Sequence, residues 1–449
     1  MVPALGHQPT TSPDAARIRR ARYGILGLFA LMGALLSTFL SRLPSIRDAL
    51  DVSASGLATL IVFGAVGALA GLMVTGWAAA KFGTRALLWW SSFAYLFAFA
   101  LVAASTVSGS KVLFATGQLL VSFSFAFANV AMNSEAAVVE RKVGRSILPQ
   151  FHAAFSVGMA ISLAIGAYLS HAGVAPVWHF LGAATVLTLV RLWITPMSVL
   201  DGRPAPTVAG APLGGPFATA KAEYRERRVV LIGFIVFAAA MTEMTAAQWI
   251  ALSIVDDFDR SESVGDLIYW VFVIAMVTVR WNGATIIDSI GRVMSLRVAA
   301  VAVVVGLVTF AFAPWFWAVP IAAALWGAGA ALGMPIGFSA ASDEPERANA
   351  RVAAVASFAT IAGLMVPQAV GHLAEVVPLR QALLLVCIAS ATSFLLARAV
   401  RKEGGLFGSR EARMREVGSA MLAQTNRPPA VQPTGPVSAG QTPDTLPRP

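Results

Sequence analysis

Glu243 lies inside VVLIGFIVFAAAMTEMTAAQWIALSIV, residues 229 to 255, an apolar run with no other charge. A run that long crosses a bilayer as a helix. Fourteen residues at 1.5 Å each place Glu243 roughly 21 Å in, near the middle of a ~30 Å core. An ionised carboxylate there costs on the order of 3 kcal/mol. Three roles are open to it: carrying a proton, binding a solute, or being neutralised by a neighbouring helix for packing. Ala246 and Ala247, three and four residues on, share its stripe and leave room beside it. Gln248 and Trp249 lie on other parts of the same helix, nearer its outer mouth. Asn129 and Asn133 are four apart and so share a helix face. Their amides could hold a polar solute or bond another helix, an interaction worth under ~1 kcal/mol. Gln368 and His372 are weaker candidates for lining a cavity. This is a chemistry of reversible binding and proton exchange. No nucleophile, base and orienter occur together, no phosphate-cradling loop is present, and the histidines lack zinc spacing. Neither an enzyme nor a bound cofactor or metal is expected.

The elements that must position these residues follow from hydropathy. The chain is 57% apolar and 12% charged, against roughly a quarter charged in soluble domains. Its mean hydropathy is +0.72. Twelve stretches are long enough to span, near 22–43, 55–79, 86–107, 112–137, 149–171, 176–196, 229–254, 267–287, 293–313, 317–340, 352–374 and 381–400. Each must satisfy its own backbone hydrogen bonds, so the expected fold is all-α, with twelve transmembrane helices. No soluble surface would remain to cover them.

Cations set the orientation. Arg17, Arg19, Arg20 and Arg22 precede the first span, and alternate loops carry Lys81 and Arg85; Arg141, Lys142 and Arg145; Arg203 to Arg228; Arg292; and Arg347 and Arg351. The opposite loops hold only Arg42, Arg47, Lys111, Arg260 and Arg380. The positive-inside rule places the first set, and both termini, in the cytoplasm. The net charge of +10 then reflects topology and contact with anionic lipid, and no nucleic-acid partner is expected. The start lacks a cleavable signal. Five segments result: a cytoplasmic tail 1–21, a six-helix half 22–196, a Pro/Gly-rich cytoplasmic loop 197–228, a second half 229–400 and a polar tail 401–449 expected to be disordered. Arg191 is expected to snorkel to the cytoplasmic interface. Arg42 and Arg47 are expected to pair with acids such as Asp48. Cys387 has no disulfide partner.

The halves look duplicated. GWAAAKFGTR (76–85) and GATIIDSIGR (283–292) occupy equivalent loops, with Gly83 and Gly291 208 positions apart. Gly158 and Gly166 are eight apart, as are Gly363 and Gly371. Two halves rocking about a midplane site is a secondary-transporter architecture. The loop resembles the motif of the major facilitator superfamily: Gly, three variable residues, Asp, Arg or Lys, a variable residue, Gly, Arg. Gly76, Lys81, Phe82, Gly83 and Arg85 fit, while Ala80 and Thr84 replace the aspartate and the first arginine. The second copy keeps Asp288, Gly291 and Arg292 but has Ser289 at the basic position. SRLPSIRDAL (41–50), NSEAAVVERKVGRSILPQFHAAFSVG (133–158), EMTAAQWIAL (243–252) and the segment from Arg280 to Arg292 are similar to the YbjJ-like inner-membrane branch, related to the fucose permease group.

The resemblance implies two pseudo-symmetric halves and alternating access. It implies an inner-membrane carrier of a sugar-like or other small hydrophilic solute. An ion gradient, of protons, is expected to drive it, and a monomer is expected. It also implies a cytoplasmic lock in these loops, for which Lys81, Gly83, Arg85, Arg280, Asp288, Gly291 and Arg292 are candidates, with Asp288 able to carry what Ala80 cannot; the alternative is that Lys81 and Arg85 only fix topology. Glu135, Glu140, Arg141, Arg145 and His152 could form an inner gate network or a solvated helix end. A drug or metabolite efflux pump is an alternative, although the fifth span lacks the Gly-Pro motif of many drug antiporters. A sensor or scaffold that kept the fold is another.

Overall fold

The computed structural model describes residues 13–144, 147–200, 222–344 and 347–402. Expectations for 1–12, 201–221, 403–449 and Arg145 fall outside the described residues. Within them every regular element is helical.

The first half contains α1 (Pro13–Leu40), α2 (Leu43–Leu50), α3 (Ala54–Ser108), α4 (Lys111–Val143), α5 (Leu148–His171) and α6 (Pro176–Ser198). A 3₁₀ turn at Glu223–Arg225 leads into the second half. That half comprises α7 (Arg227–Phe258), α8 (Glu262–Trp281), α9 (Gly283–Phe312), α10 (Ala318–Ala330) with α11 (Gly333–Ala341), α12 (Ala348–Leu373), α13 (Leu379–Ala382) and α14 (Leu385–Leu396). Ser53 and Ser110 start α3 and α4 as N-caps, accepting from the amides of Gly56 at 3.2 Å and Leu113 at 3.3 Å.

Eleven helices among the described residues are long and apolar enough to span. They deliver twelve crossings because α3 contains two. Its break is Gly83, at φ 81° and ψ 161°, a conformation open essentially to glycine alone. Gly291 does the same in α9 at φ 77° and ψ 158°, separating a short loop helix from a span. Two departures from the predicted spans have clear causes. Helix α1 starts near Pro13 rather than 22, because Ala and Arg propagate a helix well. Helix α8 runs Glu262–Trp281 rather than 267–287. Hydropathy trimmed its acidic start and absorbed the apolar beginning of α9.

Small residues let the helices approach closely. Helix α1 lies so close to α5 that a Cβ on Gly158 would strike the carbonyl of Ala30, and one on Gly33 that of Phe155. The periphery is apolar and exposed, as at Met73, Trp193 and Ile388, as expected for helices bathed in lipid.

Arg191 corrects an expectation. It does not snorkel outward; it is fully buried between α6 and α3. Its Nε donates to Ser92 Oγ at 3.1 Å, Nη2 donates to Ser91 Oγ at 3.4 Å, and the guanidinium sits 5.4 Å from the Tyr95 ring centroid. Two hydroxyls and a ring face supply partners inside the protein that an apolar count along α6 does not register.

Candidate functional site

Glu243 on α7 and Arg280 on α8 form the central polar pair. Arg280 Nη2 donates to Glu243 Oε1 at 2.6 Å, and its Nε donates to the Ala331 carbonyl, where α10 breaks before α11, at 3.0 Å. The Arg280 and Glu243 side chains are 31% and 26% exposed, so packing covers the pair only in part. Helix α5 of the first half packs on α8, and its exposed His152 is an electrostatic neighbour of Arg280. The pair therefore stands at the seam between the halves. Arg280, expected among the gate residues, is instead the partner of the midplane acid.

The other solute candidates are placed less centrally. Asn133 Nδ2 donates to both the backbone carbonyl and Oδ1 of Asn129 at 2.8 Å. One amide thus bonds the other, and among the described residues no hydrogen bond links them to Glu243 or Arg280. Trp249 is wholly buried with its indole N–H unpartnered, so it is a core residue and does not line the cavity. Gln248 is half-buried, with Oε1 unpartnered. Gln368 is also half-buried, and its carbonyl bonds His372 Nδ1 at 2.9 Å.

At the face carrying Gly83 and Gly291, each half has a clasp of its own. In the second half Arg292 Nη1 donates to Asp343 at 2.8 Å, Arg228 Nη2 donates to the same carboxylate at 2.8 Å, and Arg292 Nη2 donates to Ser339 Oγ at 2.8 Å. Asp343 thus holds the loop. Asp288, expected in that role, is exposed and has no hydrogen-bond or ion-pair partner among the described residues. In the first half Thr84 donates to Glu135. Thr84 and Glu135 are 51 apart, as are Arg292 and Asp343, so the two clasps occupy equivalent places, and Glu135 accepts from the Leu200 amide as well, at 3.4 Å. Glu140 accepts from the amides of Ile147 at 2.7 Å and Leu148 at 2.8 Å, which places it at the N-terminus of α5. Lys81 lies 5.2 Å from the ring centroids of Trp77 and Phe82, while Arg85 and Arg141 are exposed. Arg347 and Arg351 bind Glu223 and Glu226 at 2.7 to 3.5 Å, tying the 3₁₀ turn to α12.

Breaking a buried ion pair from one side costs about 3–5 kcal/mol. Asp343→Asn, which leaves two guanidiniums facing an amide, is therefore expected to lower the thermal midpoint of the purified protein clearly. An unchanged midpoint would show that the charges of this clasp add nothing.

The bonds between the halves gather at the opposite face. Glu262, at the start of α8, accepts from Arg42 Nη1 at 2.9 Å, from the Ser45 amide at 2.9 Å and hydroxyl at 2.7 Å, and from Ser170 Oγ at 2.9 Å. Arg47 pairs with Asp256 as well as with the expected Asp48. Glu375 accepts from the Ser55 amide at 3.3 Å. Its exposed carboxylate is held below the usual range by hydrogen bonds from Ser53 and Ser55. Gly371 on α12 faces Ala58 of α3, where a Cβ would come within 2.7 Å of the alanine methyl. Among the described residues, every side-chain hydrogen bond joining the two halves lies on this Glu262 face. The sequence reading missed Glu262, although an acid beside an apolar span and a lone Arg42 on the opposite half were both visible.

A family model described as Major Facilitator Superfamily matches residues 151–367. The chain is 28% identical over 388 residues to an uncharacterized transporter, y4wD, of Sinorhizobium fredii, covering 84% of this chain and 98% of that one. Among solved structures it is similar to the D323A mutant of the nucleoside transporter NupG, with TM-score 0.70, 14% identity and coverage of 85% of this chain and 100% of that one. It is also similar to a D-xylose-proton symporter, with TM-score 0.62, 13% identity and coverage of 84% and 97%.

Proposed function

We propose, from the Major Facilitator Superfamily match over residues 151–367 and the likeness to a transporter along most of the chain, that this chain is a carrier of that superfamily and moves a small polar solute by alternating access, coupled to protons. The observation that carries this reading is the Glu243–Arg280 pair, part-exposed at the seam between halves whose mutual side-chain bonds, among the described residues, lie on one face. A charge pair poised beside solvent suits a solute with several hydroxyls, which can accept from the guanidinium and donate to the carboxylate. Nucleosides and pentoses have that chemistry, and the fold neighbours named above include a nucleoside transporter and a xylose symporter. We place the chain in the YbjJ-like branch on residues 41–50, 133–158 and 243–252.

The positive-inside bias favours a cytoplasmic Gly83 face and an inner-membrane location, with segments 1–21, 197–228 and 401–449 inside. The conformation described is then inward-facing, with the outer gate shut by Arg42, Glu262, Arg47 and Asp256. The orientation has a direct test. In a Cys387→Ser background, a cysteine at Ser261 is expected to react with an impermeant maleimide from outside intact cells, and one at Ser342 only after permeabilisation. The reverse pattern would invert the topology.

The functional reading is tested by a thermal-shift screen of the purified chain against nucleosides, pentoses, hexoses, organic acids and dyes. A ligand at a hundred times its Kd stabilises by about 2.7 kcal/mol. Hits are then assayed for counterflow in proteoliposomes. Stabilisation by a nucleoside or sugar with saturable exchange is the expected result. Stabilisation by hydrophobic dyes alone would favour efflux, and binding without exchange would favour a sensor.

A further inference from the structure

One turn into α8, Asp266 is completely buried, and among the described residues neither of its carboxylate oxygens has a hydrogen-bond partner. Four residues earlier on the same helix, Glu262 accepts from four donors, one of them Arg42. Arg42 is itself fully engaged. Its Nε donates to His179 Nδ1 at 3.0 Å, and its Nη2 donates to the Val174 carbonyl at 3.0 Å. Because Nδ1 of His179 accepts, that imidazole is neutral here.

Asp266 therefore sits beside a charge pair that is already balanced. Its charged neighbours are Glu262 from its own helix and Arg42 from beyond α1. Helix α10, packed on α8, has no titratable residue. Helix α5 brings Ser170 to Glu262, and its His152 lies near Arg280 toward the other end of α8. Helix α7 brings Asp257, which accepts from the Arg380 amide and from Ser253. An ionised Asp266 would be a second negative charge beside Glu262, buried and without a donor. Desolvation and like-charge repulsion both oppose that form.

We propose that Asp266 is a proton-binding site of the gate on the Glu262 face, occupied while the Arg42–Glu262 contact is closed and emptied when it opens. Opening separates Arg42 from Glu262, admits water to Asp266, and lets the proton leave by that face. Reloading the carboxyl removes the buried charge and permits closure. In transport this makes Asp266 the coupling site and leaves Glu243 to the solute. That use rests on the alternating-access reading, but the gate itself can be tested without any solute.

The test uses the full chain in nanodiscs, with Cys387→Ser and spin labels at Val107 and Val376. These exposed positions lie in different halves at the Glu262 face. Electron–electron distances are recorded from neutral to alkaline pH. Protonation of Glu262 would loosen the same gate on the acid side, so the alkaline limb isolates Asp266. The open-to-closed ratio is expected to rise by up to about tenfold per pH unit through the Asp266 titration. Asp266→Asn is expected to stay closed throughout. Unchanged pH dependence in Asp266→Asn would overturn the proposal, and so would a response to sodium at fixed pH. Should Asp266→Asn not fold, wild type still decides. A protonated carboxylic-acid band must be present in the infrared spectrum and be lost on alkaline opening, and its absence in the closed state sinks the idea. If transport of nucleosides and pentoses proves absent while these readouts hold, the carrier reading fails and the proton site stands.

Discussion

Glu243→Gln in proteoliposomes is expected to lose solute binding and counterflow together, with uptake reduced roughly ten- to a hundredfold. The glutamine keeps shape and volume but removes the charge that meets Arg280 at 2.6 Å. A hydrogen bond to a charged group is worth about 1.5–3 kcal/mol, and each 1.4 kcal/mol is tenfold in affinity. The variant also leaves a guanidinium at membrane mid-depth beside a neutral amide, a change that reaches any solute bridging the pair. Three outcomes are separable. Loss of both binding and exchange assigns Glu243 to the solute. Loss of gradient-driven accumulation with counterflow retained would make Glu243 the proton carrier instead of Asp266. Full uptake would remove the pair from the mechanism, and if Glu243→Ala then folds poorly, its role is structural.

Gly158→Val is expected to abolish recovery of monodisperse protein. Its new Cβ would overlap the carbonyl oxygen of Ala30 on α1, and backbone cannot rotate away as a flexible side chain can. Overpacking a core costs about 1–3 kcal/mol when side chains absorb the strain. Here two helices must part, with loss of the contacts along Phe29, Phe151 and Phe155 that their approach permits. Gly158→Ala is expected to be intermediate, with a lowered thermal midpoint. Gly182→Ala is the control, because nothing lies within 4 Å of its added methyl. Normal yield and stability for Gly158→Val would mean that α1 and α5 are not held this closely.

Much of the architecture was readable in the chain because lipid enforces simple rules. Span length, small-residue seams and the twin glycines follow from local composition, and Gly83 and Gly291 adopt nearly the same backbone angles. Glu243 stood out because a lone acid in an apolar run has few explanations. Partners were less visible. Arg280 was placed within a span yet assigned to the gate, because nothing in one helix's sequence indicates which residue of the next will face it. Asp266 and Glu262 were discarded by the same hydropathy window that found α8. Trp249 and Arg191 show the converse failure. An indole near a cavity and an arginine near a helix end both have a common surface reading, and burial between particular helices overrode it. Asp343 was obscured because attention to the loop motif favoured Asp288, three residues before Gly291 along the chain. The structure instead uses a carboxylate 51 residues beyond Arg292.

The clasp at Asp343 also has an electrical consequence. Two guanidiniums meet one carboxylate there, and the arginine side chains are part-exposed. At 1 M salt the Debye length falls to about 3 Å, and attraction between such charges weakens. The small-residue seams, which rest on contact rather than charge, are not screened in this way. A concentrated-salt buffer would then free the Gly291 loop from the end of α11 and the start of α7 while the spans stay packed.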